Sequence, residues 1–205
     1  MKKHVLTLCL SLACASAWAA PILDPSSGHY YDVIPASGIT WDDARSGALG
    51  NFYLGLQGHL ATVTSSGEDG YVGAAVAAAG SGEFWLGGFQ NPITETTAAA
   101  GWTWVNGEGT FPGVNGALGF ANPYSNWNSG EPNDYYGAGT EQYLGINLGV
   151  VGGFNDEGNL GLIGGYVIEY DPNTIPDHVP DAGATASLLG GALAMLASFA
   201  RRIRK

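Results

Sequence analysis

The sequence predicts an α+β domain, and three observations carry that expectation. Two segments opened by helix-capping residues stand side by side, at 40–45 and 64–79. Short aromatic and β-branched runs lie before and after them. A stretch from 113 to 139, rich in Gly, Asn, Pro and Tyr, shows no periodicity at all. Strands and helices grouped apart describe an α+β architecture. A long unpatterned loop inside a compact domain is uncommon and usually functional.

The elements follow in order. Tyr30-Tyr31-Asp32-Val33-Ile34 reads as a strand. Thr40 is a fitting N-cap for Trp41-Asp42-Asp43-Ala44-Arg45, with acids in the first turn where the helix dipole favours them. Gly58-His59-Leu60-Ala61-Thr62-Val63 reads as a chain reversal into an extended segment, with His59 in the turn. Thr64 or Ser65 caps a second helix, which carries Glu68 and Asp69 in its first turn, continues from Val72 to Ala79 and stops at Gly80-Ser81-Gly82. Phe84-Trp85-Leu86 reads as a buried strand and Trp102-Thr103-Trp104-Val105 as an alternating one, with Asn106-Gly107 favouring a tight turn. Tyr143–Leu148 and Gly165–Tyr170 complete the strands.

Both ends of the chain read as signals. Residues 1–19 combine Lys2 and Lys3, an apolar run from Val5 and the site Ala17-Trp18-Ala19, the pattern of a secretory signal peptide cleaved after Ala19. Residues 172–178 read as a linker. Within 179–205, Val179-Pro180-Asp181-Ala182-Gly183 precedes an apolar stretch from Ala184 to Ala200 and then Arg201-Arg202-Ile203-Arg204-Lys205. The apolar stretch is near the lower limit for a transmembrane helix, and its basic tail would stay cytoplasmic. This arrangement resembles the bacterial C-terminal sorting signals processed by exosortases, the PEP-CTERM type, in its VPDSG-CTERM variant. The resemblance implies transient membrane insertion, cleavage by an exosortase-like enzyme and transfer to the cell envelope or extracellular matrix. A permanent single-span anchor is the alternative.

Charge and cysteine usage narrow the function. Seventeen of the eighteen acids and a single basic residue, Arg45, lie between the two signals, a net charge of about −16. Such a surface repels phosphate backbones, so nucleic acid is excluded as a partner. Cys9 and Cys14 both lie in the signal peptide. Thiol catalysis and cysteine-ligated zinc are therefore excluded, and the domain must be held by its core, with help from a metal. His29, His59 and His178 show no metal-ligand spacing.

Glu131, Asn133, Glu141, Asn155 and Asp156 form an oxygen-only donor set in a region without Lys, Arg or His. Such a set suits a hard cation, and calcium accepts mixed carboxylate, amide and carbonyl donors. Positions the protein leaves open can be filled by a ligand's hydroxyls.

Seven stretches in this order resemble the C-type lectin-like domain. They are Trp41-Asp42-Asp43-Ala44-Arg45, Gly58-His59-Leu60-Ala61-Thr62-Val63, Phe84-Trp85-Leu86-Gly87, Tyr124-Ser125-Asn126-Trp127, Gly130-Glu131-Pro132-Asn133-Asp134, Phe154-Asn155-Asp156 and Tyr166-Val167-Ile168-Glu169-Tyr170. The resemblance covers residues 28–171. It implies two helices, mixed and antiparallel sheets and a long ligand-binding loop. It also implies a principal Ca2+ site: Glu131 and Asn133 on either side of a cis Pro132, Glu141 from the far end of the loop, and Asn155 and Asp156 from a strand beneath. In the family two vicinal sugar hydroxyls complete the shell. The Glu-Pro-Asn triplet implies mannose, glucose, N-acetylglucosamine or fucose in preference to galactose. Tyr135 and Tyr136 would touch the sugar, whereas Trp127 belongs to the core.

The chain departs from the family at its disulfides, where Ala48 stands with Ile168 and Tyr143 with Asn159. An auxiliary calcium site would need Asn91, Glu95 and Asp134, and Gln142 stands there in place of an acid. The expected function is therefore a secreted or surface-associated calcium-dependent carbohydrate-binding protein of mannose-type specificity, directed at extracellular polysaccharide or glycans. A calcium-stabilised adhesion module that binds protein is the alternative. Catalysis by Glu131 and Glu141 is not expected, because calcium would hold both carboxylates ionised and a glycosidase needs one protonated.

Overall fold

The computed structural model of the chain describes residues 20–91 and 94–172. The expected signal peptide at 1–19 and sorting signal at 179–205 lie outside the described residues, as does most of the linker at 172–178. No helix among the described residues is long and apolar enough to cross a membrane.

The elements in chain order are β1 (Ile22–Leu23), β2 (Tyr30–Pro35), α1 (Trp41–Leu49), β3 (Phe52–Tyr53), β4 (Leu56–Leu60), α2 (Ser66–Ala79), β5 (Phe84–Phe89), β6 (Thr103–Trp104), β7 (Tyr143–Ile146), β8 (Phe154–Glu157) and β9 (Gly165–Tyr170). Both helices start where the sequence places them. Thr40 Oγ1 accepts from Asp43 N at 3.2 Å. Ser65 Oγ accepts from Glu68 N at 3.2 Å, which makes Ser65 the second cap. Thr64 is instead held by Glu68, whose carboxylate accepts both its N–H and its hydroxyl at 2.7 Å. The reciprocal grip satisfies N–H groups that a helix start leaves orphaned.

β9 is the central strand. β2 pairs antiparallel along its whole length. Its other edge is divided between β4, antiparallel at Ile168–Tyr170, and β5, parallel at Gly165 and Tyr166. The sheet then continues antiparallel from β5 to β7 and from β7 to β8. All six residues of β9 are buried, because each face has a cover. Val167 packs with Tyr31, Leu86 and the α2 residues Val72 and Val76. Tyr166, Ile168 and Tyr170 pack with Trp41, Ala44 and Ala48 of α1. A strand covered on both faces reads as a continuous apolar run, and Glu169 is its one exception. Trp41 Nε1 donates to Leu86 O at 2.8 Å and Trp85 Nε1 to Ile39 O at 2.9 Å, which ties α1 to β5.

The positions that the family resemblance gives to disulfides are bridged otherwise. Ala48 and Ile168 share one buried apolar cluster. Gly58 lies against both: a Cβ there would stand 2.6 Å from Ile168 Cγ2 and 2.8 Å from Ala48 O. Tyr143 stacks on Trp41 with ring centroids 5.0 Å apart. Asn159 hydrogen-bonds Tyr143 and accepts from Trp41 N at 2.9 Å.

Two local expectations are corrected, and one strand lies ahead of the residues that carry the family resemblance. The sheet begins upstream of Gly28, at β1, which pairs with β2. The reversal expected at Gly58 occurs earlier, at Leu54-Gly55, where φ is 51° and 86°. These two residues join β3 to β4 in the conformation that suits a two-residue hairpin. His59 therefore lies on β4 rather than in a turn. Finally, the strand expected at Trp102–Val105 keeps only Thr103–Trp104, because the chain turns immediately: Gly107 N donates to Trp104 O at 3.3 Å and Trp104 N to Gly109 O at 3.0 Å.

Candidate functional site

No named strand interrupts the chain between β6 and β7, so side chains must hold this long loop. Trp127 provides one anchor, with its ring in the α2-side core and its Nε1 donating to Pro112 O at 2.9 Å. Asn128 N donates to Phe154 O at 2.9 Å and Phe154 N to Asn126 O at 2.8 Å, so the loop runs beside β8. Asp69 of α2 accepts from Tyr124 Oη at 3.0 Å and from Asn126 Nδ2 at 2.8 Å.

The next stretch is fixed by carboxylates on backbone N–H groups. Asp156 accepts from Asn133 N at 2.8 and 3.0 Å and from Asp134 N at 2.8 Å. Asp134, at φ 50°, accepts from Gly139 N at 2.9 Å and Glu141 N at 3.2 Å. It thereby folds the far end of the loop back, and Glu141 Oε2 accepts from Tyr135 N. The Glu131–Pro132 peptide is cis.

As a result, Glu131, Asn133, Tyr135, Tyr136, Glu141, Asn155 and Asp156 all line one cleft of about 390 Å³. Tyr135 and Tyr136 are exposed at its mouth, with rings edge to face at 5.1 Å. Trp127 is buried. Two further acids line the same cleft, Glu83 and Glu157. Glu83 directly precedes an apolar strand and Glu157 ends a strand without hydrophobic alternation, so neither carries a sequence signal of its own. Gln142, at the expected auxiliary position, spends its side-chain N–H on Glu95 O at 3.0 Å.

The donor set suits a hard cation in chemistry, since every candidate ligand atom is oxygen. One atom of the cleft lining stands out: Glu131 Oε2 is buried with no hydrogen-bond partner. A buried carboxylate oxygen left unsatisfied is costly, and a cation would satisfy it. The carboxylates of Asp156 and Glu141 are already partly committed to backbone N–H groups. A cation here would therefore draw on the amide oxygens of Asn133 and Asn155 as well as on acids.

Crowded acids in a shared cleft resist ionisation. Burial first, and then the charges of Glu157, Glu141 and Glu131, push Glu83 up to about 7, although its Asn155 contact opposes the shift. Burial followed by Asp156 pushes Glu131 to about 7. Burial and neighbouring acids do the same to Glu141, against the Tyr135 N–H. Asp156 and Glu157 are also raised, chiefly by burial. For Glu83, Glu131 and Glu141 the folded-state value lies above the unfolded one, so the associated stability is complete below about pH 4.5 and is lost as pH rises through about 7. The metal-free protein is therefore expected to melt several degrees lower at pH 6.5 than at pH 5. Thermal unfolding in chelator checks this.

The histidines correct the sequence reading. His29, Glu68 and Glu169 bring ligand atoms within 4.8 Å of one another, the one such set of His, Asp or Glu among the described residues. Its members already satisfy each other and their neighbours. His29 Nδ1 donates to Glu169 Oε1 at 2.6 Å, and its Nε2 lies 3.3 Å from Asp171. Thr62 N and Oγ1 donate to Glu169 Oε2 at 2.9 and 2.7 Å. This is a buried ion pair beneath α2. His178 lies outside the described residues.

The chain is similar to known proteins at its C-terminus and in its fold. Residues 178–204 match the VPDSG-CTERM motif, which suggests secretion and C-terminal sorting to the cell surface. A stretch of 145 residues is 33% identical to Halomucin of Haloquadratum walsbyi, covering 70% of this chain and 1% of that protein. The chain thus spans about a hundredth of that relative's length. Among solved structures, human lithostathine superposes with a TM-score of 0.53 at 16% identity, over 82% of this chain and 99% of that one. The C-type lectin CEL-I from Cucumaria echinata superposes with a TM-score of 0.51 at 19% identity, over 76% of this chain and 96% of that one. These likenesses concern the fold.

Proposed function

We propose that this chain, which has the C-type lectin-like fold, binds carbohydrate through a calcium ion held in the loop cleft. Glu131, Asn133, Glu141, Asn155 and Asp156 would hold the ion, the last also through its backbone carbonyl. Bound there, calcium would offer open coordination positions to two vicinal hydroxyls of a sugar. The remaining work belongs to the chain. The carboxylates of Glu131 and Glu141 accept from those hydroxyls, and the amides of Asn133 and Asn155 donate to them, which are charge-assisted bonds of the stronger kind where an acid takes part. Tyr135 and Tyr136 supply exposed ring faces for a sugar's C–H surface. The observation that carries the reading is the partnerless buried oxygen of Glu131, in a cleft lined by all the residues the sequence singled out.

The Glu-Pro-Asn triplet supports mannose-type sugars, namely mannose, glucose, N-acetylglucosamine or fucose. The VPDSG-CTERM match supports export, transient membrane insertion, processing by an exosortase-like enzyme and delivery to the envelope or matrix, where extracellular polysaccharide is the ligand at hand. Calorimetric titration with mannose is expected to give calcium-dependent heat that vanishes with chelator. Equal binding in both conditions would overturn the metal-bridged mechanism.

A second reading, a calcium-shaped adhesion module for protein, is favoured by one observation. Leu148 and Leu162 are exposed and line the same cleft. A glycan array without hits, together with calcium-dependent thermal stabilisation, would select it.

A further inference from the structure

We infer that Glu83 is a positioning residue for Asn155: it fixes the side-chain amide so that Oδ1 is left for the cation and one N–H for a sugar hydroxyl. The inference rests on the calcium reading above. Glu83 is only 6% exposed, and its Oε1 accepts from Asn155 Nδ2 at 3.0 Å. With Glu83 Oε1 as the acceptor, the amide turns its nitrogen toward Glu83 and its oxygen away from it. The NH2 group has two hydrogens. One is held by Glu83, and the amide plane then sets the direction of both the second hydrogen and Oδ1.

The niche that holds this carboxylate is assembled from three strands. Gly145 of β7 stands opposite Asn155 of β8 in the ladder. A Cβ at Gly145 would lie 2.1 Å from Glu83 Oε1, so any other residue there would displace the carboxylate from this position. Glu83 precedes β5, and its carbonyl accepts from Gly164 N at 2.8 Å, which fixes its backbone. Burying an acid costs free energy that an apolar residue would not incur. Here the acid's one polar contact is with a proposed calcium ligand, and it lines the same cleft.

The test compares Glu83→Met and Glu83→Gln with the wild-type full chain. Partners that orient a metal ligand typically contribute 10- to 100-fold to affinity. Glu83→Met is therefore expected to weaken calcium roughly 10- to 100-fold by calorimetry, whereas Glu83→Gln, which keeps the accepting oxygen, stays within about threefold. In chelator, Glu83→Met should melt at or above the wild type, since it replaces a buried acid by an apolar chain. Affinity and metal-free stability thus move apart, which a merely structural role would not produce. A metal-free readout is the Asn155 side-chain amide NMR signal, expected to lose exchange protection in Glu83→Met and to keep it in Glu83→Gln. Wild-type calcium affinity in Glu83→Met overturns the inference and leaves the calcium reading intact. Equal weakening in both variants overturns it too, because charge and not hydrogen bonding would then be at work. Absence of calcium binding by the wild type overturns the reading and the inference together.

Discussion

Glu131→Ala is expected to lower calcium affinity by on the order of 100-fold or more, because ligand charge and number tune such sites over several decades. The argument starts from position. Glu131 sits on a loop whose course is set by other groups: the carboxylate of Asp156 on the N–H groups of Asn133 and Asp134, and the Trp127 anchor. Its Oε2 is buried without a hydrogen-bond partner, and the carboxylate's side-chain contacts are with Asp156 and Asn133, themselves proposed ligands. Removing the side chain should therefore take away a cation ligand without unfolding the loop. In chelator the variant should be about as stable as the wild type, since burial and Asp156 raise the cost of ionising Glu131. Calorimetric calcium titration beside thermal unfolding with and without calcium gives both numbers. Unchanged affinity in Glu131→Ala would remove the basis of the proposed site.

Glu169→Ala is expected to destabilise the fold by about 3–5 kcal/mol, the usual result of leaving half of a buried ion pair behind. Glu169 is fully buried on the central strand. It accepts from His29, from both donors of Thr62 and, at 3.4 Å, from Tyr31 Oη. It thereby joins β2, β9 and the segment after β4. Burial opposes its ionisation, yet the His29 contact and the Thr62 donors hold its pKa below the ordinary value. The Glu169 contact in turn lifts His29 to about 9 against burial. The pH window follows from these directions. The His29 contribution is complete below its unfolded value near 6.5 and is lost as pH rises through about 9. That of Glu169 is present above its unfolded value near 4.5 and is lost as pH falls through its depressed one. A melting temperature lower by on the order of 10 °C is expected at pH 6. A loss under 1 kcal/mol would mean that the network contributes little. The site lies under α2, away from the loop cleft, so calcium affinity measured below the melting range should be unchanged.

Comparison of particular elements shows how far the sequence was readable. α1 is capped by Thr40 as expected and α2 by Ser65, one of the two caps the sequence offered, because a cap is a local contract between a side chain and N–H groups three residues on. β2, β5 and β9 are legible from aromatic and β-branched composition alone. β1 and β3 are not: two-residue strands exist only through their partners. β8 was legible only as a ligand-bearing motif. Phe-Asn-Asp-Glu has no hydrophobic alternation, and the segment is a strand because β7 pairs with it and the loop lies beside it.

The same division runs through the candidate site. Glu131, Asn133, Glu141, Asn155 and Asp156 announce themselves by type, by spacing and by the absence of basic neighbours. Glu83 does not, because 72 positions separate it from Asn155 and only the closing of β5, β7 and β8 makes them neighbours. Nor does the His29–Glu169 pair, 140 positions apart. The amino-acid order alone determined an acidic, thiol-free α+β domain with an oxygen-rich loop, since composition, capping and short motifs act over a few residues. Tertiary structure alone decided which buried acid meets a histidine, which meets the Asn155 amide and which keeps an unpaired oxygen. Those outcomes depend on distances between strands remote in sequence, and no local pattern encodes them.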